Sequence, residues 1–369
     1  MNAITRIEAR SADLGEGMLV RRFLPSRQQR MVGAWCFLDH AGPVGFAPGK
    51  GMHVGAHPHI GLQTFTWLIA GEVLHRDSLG NAQVIRPGQV NLMTAGRGIV
   101  HTEDSVQDGQ HLHAAQLWIA LPPEAETCAP DFAHHPDLPC WQDNGARLTL
   151  LAGTHDGRTA PTRLYSPLLG LDIASDDATA LRLALNPDFE YGLLPLVGEV
   201  GIEGEAFRAD EFAYLGCERH ELQLTLGAGT RLLLLGGEPF AEPVLMWWNF
   251  VGRTAAEIER WLRREEPLVM AIGTLSLAMP PDEKAFVTHW ICSRFGTFLP
   301  VQGQQRLSVQ VKQYPLSHPW YCSASGPALA CIAWPQRPNS VLAMGECCRY
   351  AHIVKSWRSW RAERKETGS

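Results

Sequence analysis

The chain has 369 residues, of which 45% are hydrophobic and 19% are charged, and its formal net charge is −6. This length and composition predict more than one buried core, and the acidic balance argues against a nucleic-acid-binding stripe. No apolar run reaches the ~18 residues of a membrane helix, and the first fifteen residues lack the apolar segment of a secretory signal. Nine cysteines without a CxxC pair are typical of a reduced chain, so we expect a cytoplasmic protein that binds neither nucleic acid nor membranes.

Short apolar runs punctuated by Gly and Pro follow one another along the chain. Residues 63–77 and 82–96 each have the pattern strand, turn, strand, and the same pattern returns in residues 192–216 and 221–237. Such runs are typical of antiparallel barrels and sandwiches. We therefore predict an all-β protein built from two copies of one barrel, with the link between them in residues 131–146, which are rich in Pro, Asp, Asn and Gly.

One helix and an unusual extension follow the second barrel. Residues 254–266 carry the clearest helical pattern, and Thr254 with Glu257 matches a capping box. Residues 267–369 hold 11 Lys and Arg against 5 Asp and Glu, together with five of the nine Cys and five of the twelve Trp. This segment shows little strand or helix periodicity, so we interpret it as an atypical, poorly ordered extension or as the product of translation past a lost reading frame.

Two pairs of polar residues indicate a metal site. His57 and His59 are two residues apart, and so are His101 and Glu103, so in strands each pair shares one face. Three imidazole nitrogens and one carboxylate suit Fe(II), Mn(II), Ni(II), Cu(II) or Zn(II), and four protein ligands leave room for a substrate. An isolated HxH is a weak signal, and we expect the second one, at His111 and His113, to pack or form hydrogen bonds instead.

Long blocks of this sequence resemble the pirin family. Residues 34–43, 57–80, 86–103 and 113–122 resemble the first cupin domain of pirins, and residues 237–254 resemble the segment that closes their second cupin domain. The resemblance implies a bicupin fold of two antiparallel jelly-roll barrels with a few short helices. We accordingly divide the chain into a metal-binding cupin (1–135), a cupin without metal (136–255), and a short helix with the atypical extension (256–369).

The resemblance also implies a metal site and an activity. Its four ligands fall on His57, His59, His101 and Glu103, with Fe(II) the expected metal, and Gln63 occupies a position where many relatives have Glu. The implied activity is quercetin 2,3-dioxygenase-like cleavage of a flavonol by dioxygen, with Glu103 as general base. The alternative that the resemblance leaves open is an iron-dependent redox sensor that binds a protein partner.

Strand parity suggests which side chains line the substrate pocket. Counting in steps of two from His57 and His59 places Gln63 on the same face. An apolar wall for a flat aromatic substrate is expected from nearby strand residues, with ordinary barrel core as the alternative for each: Phe65, Trp67, Leu92 and Met93.

Overall fold

The computed structural model describes residues 3–13, 18–107 and 109–263, which form two β-barrels. The strands of the first part of the chain are β1 (Thr5–Glu8), β2 (Arg10–Asp13), β3 (Leu19–Leu24), β4 (Trp35–Gly45), β5 (His53–His59), β6 (Leu62–Ala70), β7 (Val73–Asp77), β8 (Ala82–Ile85), β9 (Val90–Thr94), β10 (Ile99–Ser105), β11 (His111–Ala120) and β12 (Asp131–His135). The later strands are β13 (Cys140–Asp143), β14 (Ala146–Ala152), β15 (Thr154–His155), β16 (Arg158–Thr159), β17 (Leu168–Ser175), β18 (Thr179–Ala184), β19 (Glu190–Val197), β20 (Glu199–Ile202), β21 (Glu205–Arg208), β22 (Glu211–Gly216), β23 (Glu221–Leu226), β24 (Thr230–Gly237), β25 (Leu245–Trp247) and β26 (Phe250–Gly252).

Each barrel joins a seven-stranded sheet to a four-stranded sheet. In the first barrel the strand orders are β12-β9-β6-β11-β4-β3-β2 and β5-β10-β7-β8. In the second they are β1-β22-β19-β24-β17-β14-β13 and β18-β23-β20-β21. The strands within these four sheets pair in antiparallel fashion, so the predicted all-β, two-barrel architecture is confirmed.

The chain ends of the two barrels are interleaved. The first strand, β1, pairs with β22, so Thr5–Glu8 belong to a sheet of the second barrel although they precede the first. Conversely, the β25-β26 hairpin returns to the first barrel, where the Val251 N–H donates to the Ile60 carbonyl at 3.0 Å. The change of sheet in mid-chain falls between β12 and β13, within the stretch interpreted as a linker.

The two seven-stranded sheets pack against each other, and this explains the long apolar runs. In β24, Leu232 and Leu234 point into the second barrel, whereas Leu233 and Leu235 join a core shared with the first barrel. Strands buried on both faces need apolar residues at consecutive positions. The four-stranded sheet shows the other pattern: in β23 buried Leu alternates with partly or fully exposed polar residues.

Hydrogen bonds fix the two barrels to each other. Trp35 Nε1 lies 3.2 Å from the carbonyls of both Leu169 and Gly236. Trp67 Nε1 donates to Asp172 Oδ1 at 3.1 Å, and Asp172 also accepts two hydrogen bonds from Arg231.

The helix α1 (Ala255–Arg263) follows β26 and has the predicted cap. The Glu257 N–H donates to Thr254 Oγ1 at 3.2 Å, and the Thr254 N–H donates to Glu257 Oε2 at 2.9 Å. The predicted last helical residues, 264–266, and the extension beyond them lie outside the described residues, so those expectations stay predictions. In the described part of the chain no helix has the length and apolarity needed to cross a bilayer.

Candidate metal centre

Strands β5 and β10 bring three histidines together inside the first barrel. The two strands are antiparallel neighbours, with His57 opposite His101 and His59 opposite Ile99. The ring centroids of His57, His59 and His101 are 4.4–5.0 Å apart. His59 and His101 are each 1% exposed, and His57 is partly exposed, so the cluster is open to solvent on the side of His57.

The ring nitrogens of these histidines are arranged as metal ligands would be. The Nε2 atoms of His59 and His101 are 3.1 Å apart. Two nitrogens bound ~2.1 Å from one metal ion at a right angle would be separated by about 3.0 Å. His57 donates Nδ1–H to the Gly55 carbonyl at 2.8 Å, which leaves the lone pair on its Nε2.

Glu103 shares the face of His101, as its spacing predicts. The pairing of β10 with β7 is regular, with His101 opposite Asp77 and Glu103 opposite His75, whereas the β5 side carries a bulge between these positions. Two overlapping groups of ligand atoms result, each within 4.8 Å: His57, His59 and His101, and His75, His101 and Glu103. The donor set of neutral nitrogens with a carboxylate is suited to a transition metal.

Burial controls the protonation of these groups. It lowers the pKa of His57 to about 4 and lowers the pKa of His59 and His101 well below the ordinary value. Neighbouring imidazoles add to the effect for His59 and His101, since positive charges would repel one another. Burial raises the pKa of Glu103, partly offset by His75 and by the Thr66 hydroxyl. The imidazoles are therefore neutral near pH 7, which is the form that binds a metal.

Aromatic and polar side chains of the seven-stranded sheet face the histidines. The Trp118 ring meets His59 edge-to-face with centroids 5.0 Å apart, and Phe37 stacks on Trp118 at 4.0 Å. Thr66 Oγ1 lies 3.4 Å from Glu103 Oε1 and 2.7 Å from Gln116 Oε1. These residues give the site a flat apolar wall next to a row of hydrogen-bonding groups.

The sequence placed Gln63 and Phe65 on this wall, and the structure corrects that orientation. Gln63 Nε2 donates to Thr94 Oγ1 at 2.9 Å and to the Arg163 carbonyl at 3.1 Å, on the side of the second barrel. Phe65 meets Trp35 edge-to-face, with ring centroids 5.5 Å apart, in the core between the barrels. The turn at Ile60-Gly61 changes the face, so parity counted from His59 does not carry into β6.

Two further residues expected on the wall, Trp67 and Leu92, also point away from the histidines, whereas Met93 lies on their side of the sheet. Trp67 and Leu92 lie in the core between the barrels. Met93 is paired with Thr64, is 1% exposed, and packs with Phe132 on the site's side of the sheet. Met93 as a substrate contact therefore stays a prediction.

Histidines outside the predicted set behave in different ways. His113 forms a hydrogen bond with His40, with Nε2 atoms 2.8 Å apart, as expected for a residue that is not a ligand. His75, for which the sequence offered no partner, is 3% exposed and lies 3.3 Å from His101, Nδ1 to Nδ1. The sequence signal for His75 is its spacing of two from Asp77, which places both side chains on one face of β7. This strand is the neighbour of β10, which carries His101 and Glu103.

The interior of the second barrel is filled differently. Where the first barrel has imidazoles, the second packs leucines from both of its sheets into one cluster, among them Leu171, Leu193 and Leu224. Glu190, at the start of β19 in the second barrel, accepts hydrogen bonds from the Gly33 N–H and the Tyr214 hydroxyl, each at 2.6 Å.

Family models and relatives agree with this architecture. Residues 17–119 match the Pirin family, and residues 170–264 match the Pirin C-terminal cupin domain. A Pseudomonas aeruginosa protein named as a candidate quercetin 2,3-dioxygenase is 64% identical over 287 residues, which are 78% of this chain and 91% of that protein. A pirin-like protein of Caulobacter vibrioides is 37% identical over 261 residues, 69% of this chain and 89% of the relative.

A solved structure shares the fold as well. The crystal structure of a quercetin 2,3-dioxygenase from Acinetobacter baumannii superposes with a TM-score of 0.70 at 44% sequence identity. It covers 84% of this chain and 96% of its own.

Proposed function

This chain belongs to the pirin family, and we propose that it is a metal-dependent dioxygenase that cleaves flavonols, as a quercetin 2,3-dioxygenase does. The observation that carries the proposal is the cluster of His57, His59 and His101 beside an aromatic wall, with Glu103 joining His101 in an overlapping group of ligand atoms. The ligands we propose are His57, His59, His101 and Glu103. Fe(II) is the metal we favour, and Mn(II), Ni(II), Cu(II) or Zn(II) also fit the donor set.

The residues around the cluster suit a flat, hydroxylated aromatic substrate. Trp118 and Phe37 offer their stacked rings as one wall, and Thr66 and Gln116 offer hydrogen bonds along one edge. The partial exposure of His57 and Glu103 leaves an entrance on that side. Support also comes from the names of the P. aeruginosa relative and the A. baumannii structure.

Glu103 is the residue we assign to proton transfer. When bound, a metal ion supplies a Lewis acid that favours the ionised form of a hydroxyl next to it. The carboxylate of Glu103, whose Oε1 lies 3.4 Å from Thr66 Oγ1, then accepts the proton of the flavonol 3-hydroxyl. Dioxygen and the flavonol then yield a depside and carbon monoxide.

The test combines metal analysis with a turnover assay. The full chain is purified anaerobically without added metal, its metal content is determined, and quercetin consumption and carbon monoxide release are measured in air. We expect about one metal ion per chain and oxygen-dependent loss of the flavonol absorbance. Metal binding without flavonol loss would refute the oxygenase and favour the iron-dependent sensor that binds a protein partner.

A pair of variants isolates the role of Glu103. Glu103→Gln should lower turnover by about 10²–10⁴-fold, the usual contribution of a general base, and should lower metal content less. The matched control is Asp104→Asn, because Asp104 is next along β10 and instead pairs with His53 at 3.0 Å and Arg76 at 3.1 Å. Full activity in Glu103→Gln would exclude the base role.

A further inference from the structure

His75 lies beside the proposed ligands without being one of them. It sits on β7 opposite Glu103, and it is 3% exposed. One ring nitrogen, Nε2, is 3.2 Å from Asp77 Oδ2, and the other, Nδ1, is 3.3 Å from His101 Nδ1. The Phe132 ring stacks on His75 with centroids 4.4 Å apart and planes 14° apart, which holds the imidazole plane.

The state of Asp77 decides which nitrogen of His75 carries the hydrogen. The Asn81 side-chain amide donates to both oxygens of the Asp77 carboxylate, to Oδ2 at 2.9 Å and to Oδ1 at 3.1 Å, and hydrogen bonds from N–H groups favour the ionised form. Asp77 Oδ1 accepts from the backbone N–H groups of Leu79 at 2.9 Å and Asn81 at 3.1 Å. An ionised carboxylate only accepts hydrogen bonds, so His75 must present Nε2–H to it.

The tautomer of His101 follows from that of His75. A neutral imidazole with its hydrogen on Nε2 has a lone pair on Nδ1, so the contact between His75 and His101 requires His101 to donate Nδ1–H. The lone pair of His101 is then on Nε2, the atom 3.1 Å from His59 Nε2.

We propose that His75, held by Asp77, is a positioning residue that fixes the tautomer and ring orientation of His101, so that His101 offers Nε2 to the metal. The inference rests on the metal site of the proposed function. It does not depend on the flavonol as substrate. Partners that orient a metal-bound histidine in this way typically change metal affinity by about 10–100-fold when they are mutated. The competing arrangement is His75 as a ligand itself, since His75, His101 and Glu103 also form a compact group.

Three variants of the full chain separate these roles. In Asp77→Asn, Oδ1 still accepts from the N–H groups of residues 79 and 81, and the amide nitrogen replaces Oδ2 beside His75 Nε2 and the Asn81 side chain, whose amide must turn its oxygen towards it. His75 Nε2 then accepts a hydrogen bond instead of donating one, and the tautomers of His75 and His101 are reversed. His75→Gln keeps a polar group near Asp77 and removes the acceptor that faces His101. His75→Asn is the matched control, because its Oδ1 lies close to the position of Nδ1 and can accept from His101.

The measurement is the dissociation constant for Co(II), read anaerobically from its visible absorption, which also reports ligand geometry. We expect Asp77→Asn and His75→Gln to raise the dissociation constant about 10–100-fold, while His75→Asn stays close to wild type. Nitrogen-15 spectra of the metal-free chain should show His101 protonated at Nδ1 in the wild type and at Nε2 in Asp77→Asn. Thermal unfolding of the metal-free variants checks that the barrel is intact.

Each of the following outcomes would refute one part of the proposal. Wild-type Co(II) affinity in both Asp77→Asn and His75→Gln would refute the positioning role. A loss of Co(II) in His75→Asn as large as that in His75→Gln would refute the tautomer argument and make His75 a ligand. A wild-type chain that binds no Co(II) would refute the metal site itself, whereas Co(II) binding in a chain that leaves flavonol intact would refute only the oxygenase activity.

Discussion

Replacing Asp172 by Leu should uncouple the two barrels at a measurable cost. Asp172 is 0% exposed and accepts hydrogen bonds from Arg231 at 2.8 and 2.9 Å and from Trp67 Nε1 at 3.1 Å. The Arg231 side chain is only 18% exposed, so the variant leaves a largely buried guanidinium without its partner. Breaking a buried pair on one side typically costs about 3–5 kcal/mol. For a structured region of this size, that corresponds to a fall in melting temperature of roughly 6–20 °C.

The double variant Asp172→Leu/Arg231→Leu tests the origin of this cost. Removing both charges should recover most of the lost stability, because a buried ion pair and well-packed apolar residues are often equivalent. About 1–3 kcal/mol should remain, since the Trp67 Nε1–H loses its acceptor. The control is Glu221→Leu, which breaks the exposed pair with Arg182 and should leave the unfolding free energy nearly unchanged, because solvent screens exposed ion pairs.

The assay is urea unfolding of the metal-free chain, followed by tryptophan fluorescence and by circular dichroism. The midpoint gives the change in unfolding free energy, and the slope shows whether the variant still unfolds as one unit. A loss below about 1 kcal/mol in Asp172→Leu, or a double variant no more stable than the single one, would refute the electrostatic account of this contact.

Three further predictions concern the site and its surroundings. Gly61→Ala should lower the melting temperature and loosen the β25-β26 hairpin. Gly61 has φ +72°, and an added Cβ would lie 2.0 Å from the Val251 carbonyl oxygen. Unchanged thermal unfolding would contradict this close approach. The unfolding free energy of the metal-free chain should fall as the pH falls below about 6.5, because burial lowers the pKa of several histidines, so the unfolded state binds protons first. The pKa of His40 is lowered to about 3, that of His113 and of His57 to about 4, and that of His59 and of His101 well below the ordinary value. His113→Gln should remove the contribution of His113 to this slope between about pH 6.5 and 4 and leave that of the other buried histidines, and an equal slope in urea titrations would exclude His113 as a contributor. Trp118→Leu should raise the KM for quercetin about tenfold with unchanged metal content, because an aromatic pair contributes up to ~1.5 kcal/mol beyond the burial of its surface area. An unchanged KM would exclude Trp118 from the substrate wall.

Local periodicity was enough to predict the all-β architecture and to predict which histidines lie on one face of a strand. A spacing of two places side chains on one face of a strand wherever the strand is regular. That condition holds for His57 with His59, and it holds for His101 with Glu103 because β10 pairs regularly with β7. The two-barrel organisation followed in the same way from turn residues between short apolar runs.

What the sequence could not supply depends on long-range pairing. Gln63 was assigned to the wrong face because the turn at Gly61 interrupts the strand, and no local pattern reports how the chain leaves a turn. The pairing of β1 with β22 joins residues about 200 positions apart and leaves no signature in either segment. His75 was missed because its second partner, His101, lies 26 residues further along the chain on β10, and only the pairing of β7 with β10 makes the two histidines neighbours. Its first partner, Asp77, is on the same strand.

The contrast between the barrel interiors gives a physical reason for two barrels in one chain. Both barrels use the same frame of seven and four strands, but buried polar side chains such as His59, His101 and Asp77 cost stability in the first, whereas leucines fill the second. The seven-stranded sheet that carries Thr66 and Trp118 on the metal side carries Phe65 and Trp67 on the other, against leucines of the second barrel. The apolar contact on one face thus offsets the polar interior on the other, and it holds the strand that carries Thr66 against Glu103. A first barrel expressed alone would expose this apolar face, so we expect it to aggregate or to lose metal affinity, and a soluble isolated barrel with full affinity would show that the second barrel is dispensable for the site.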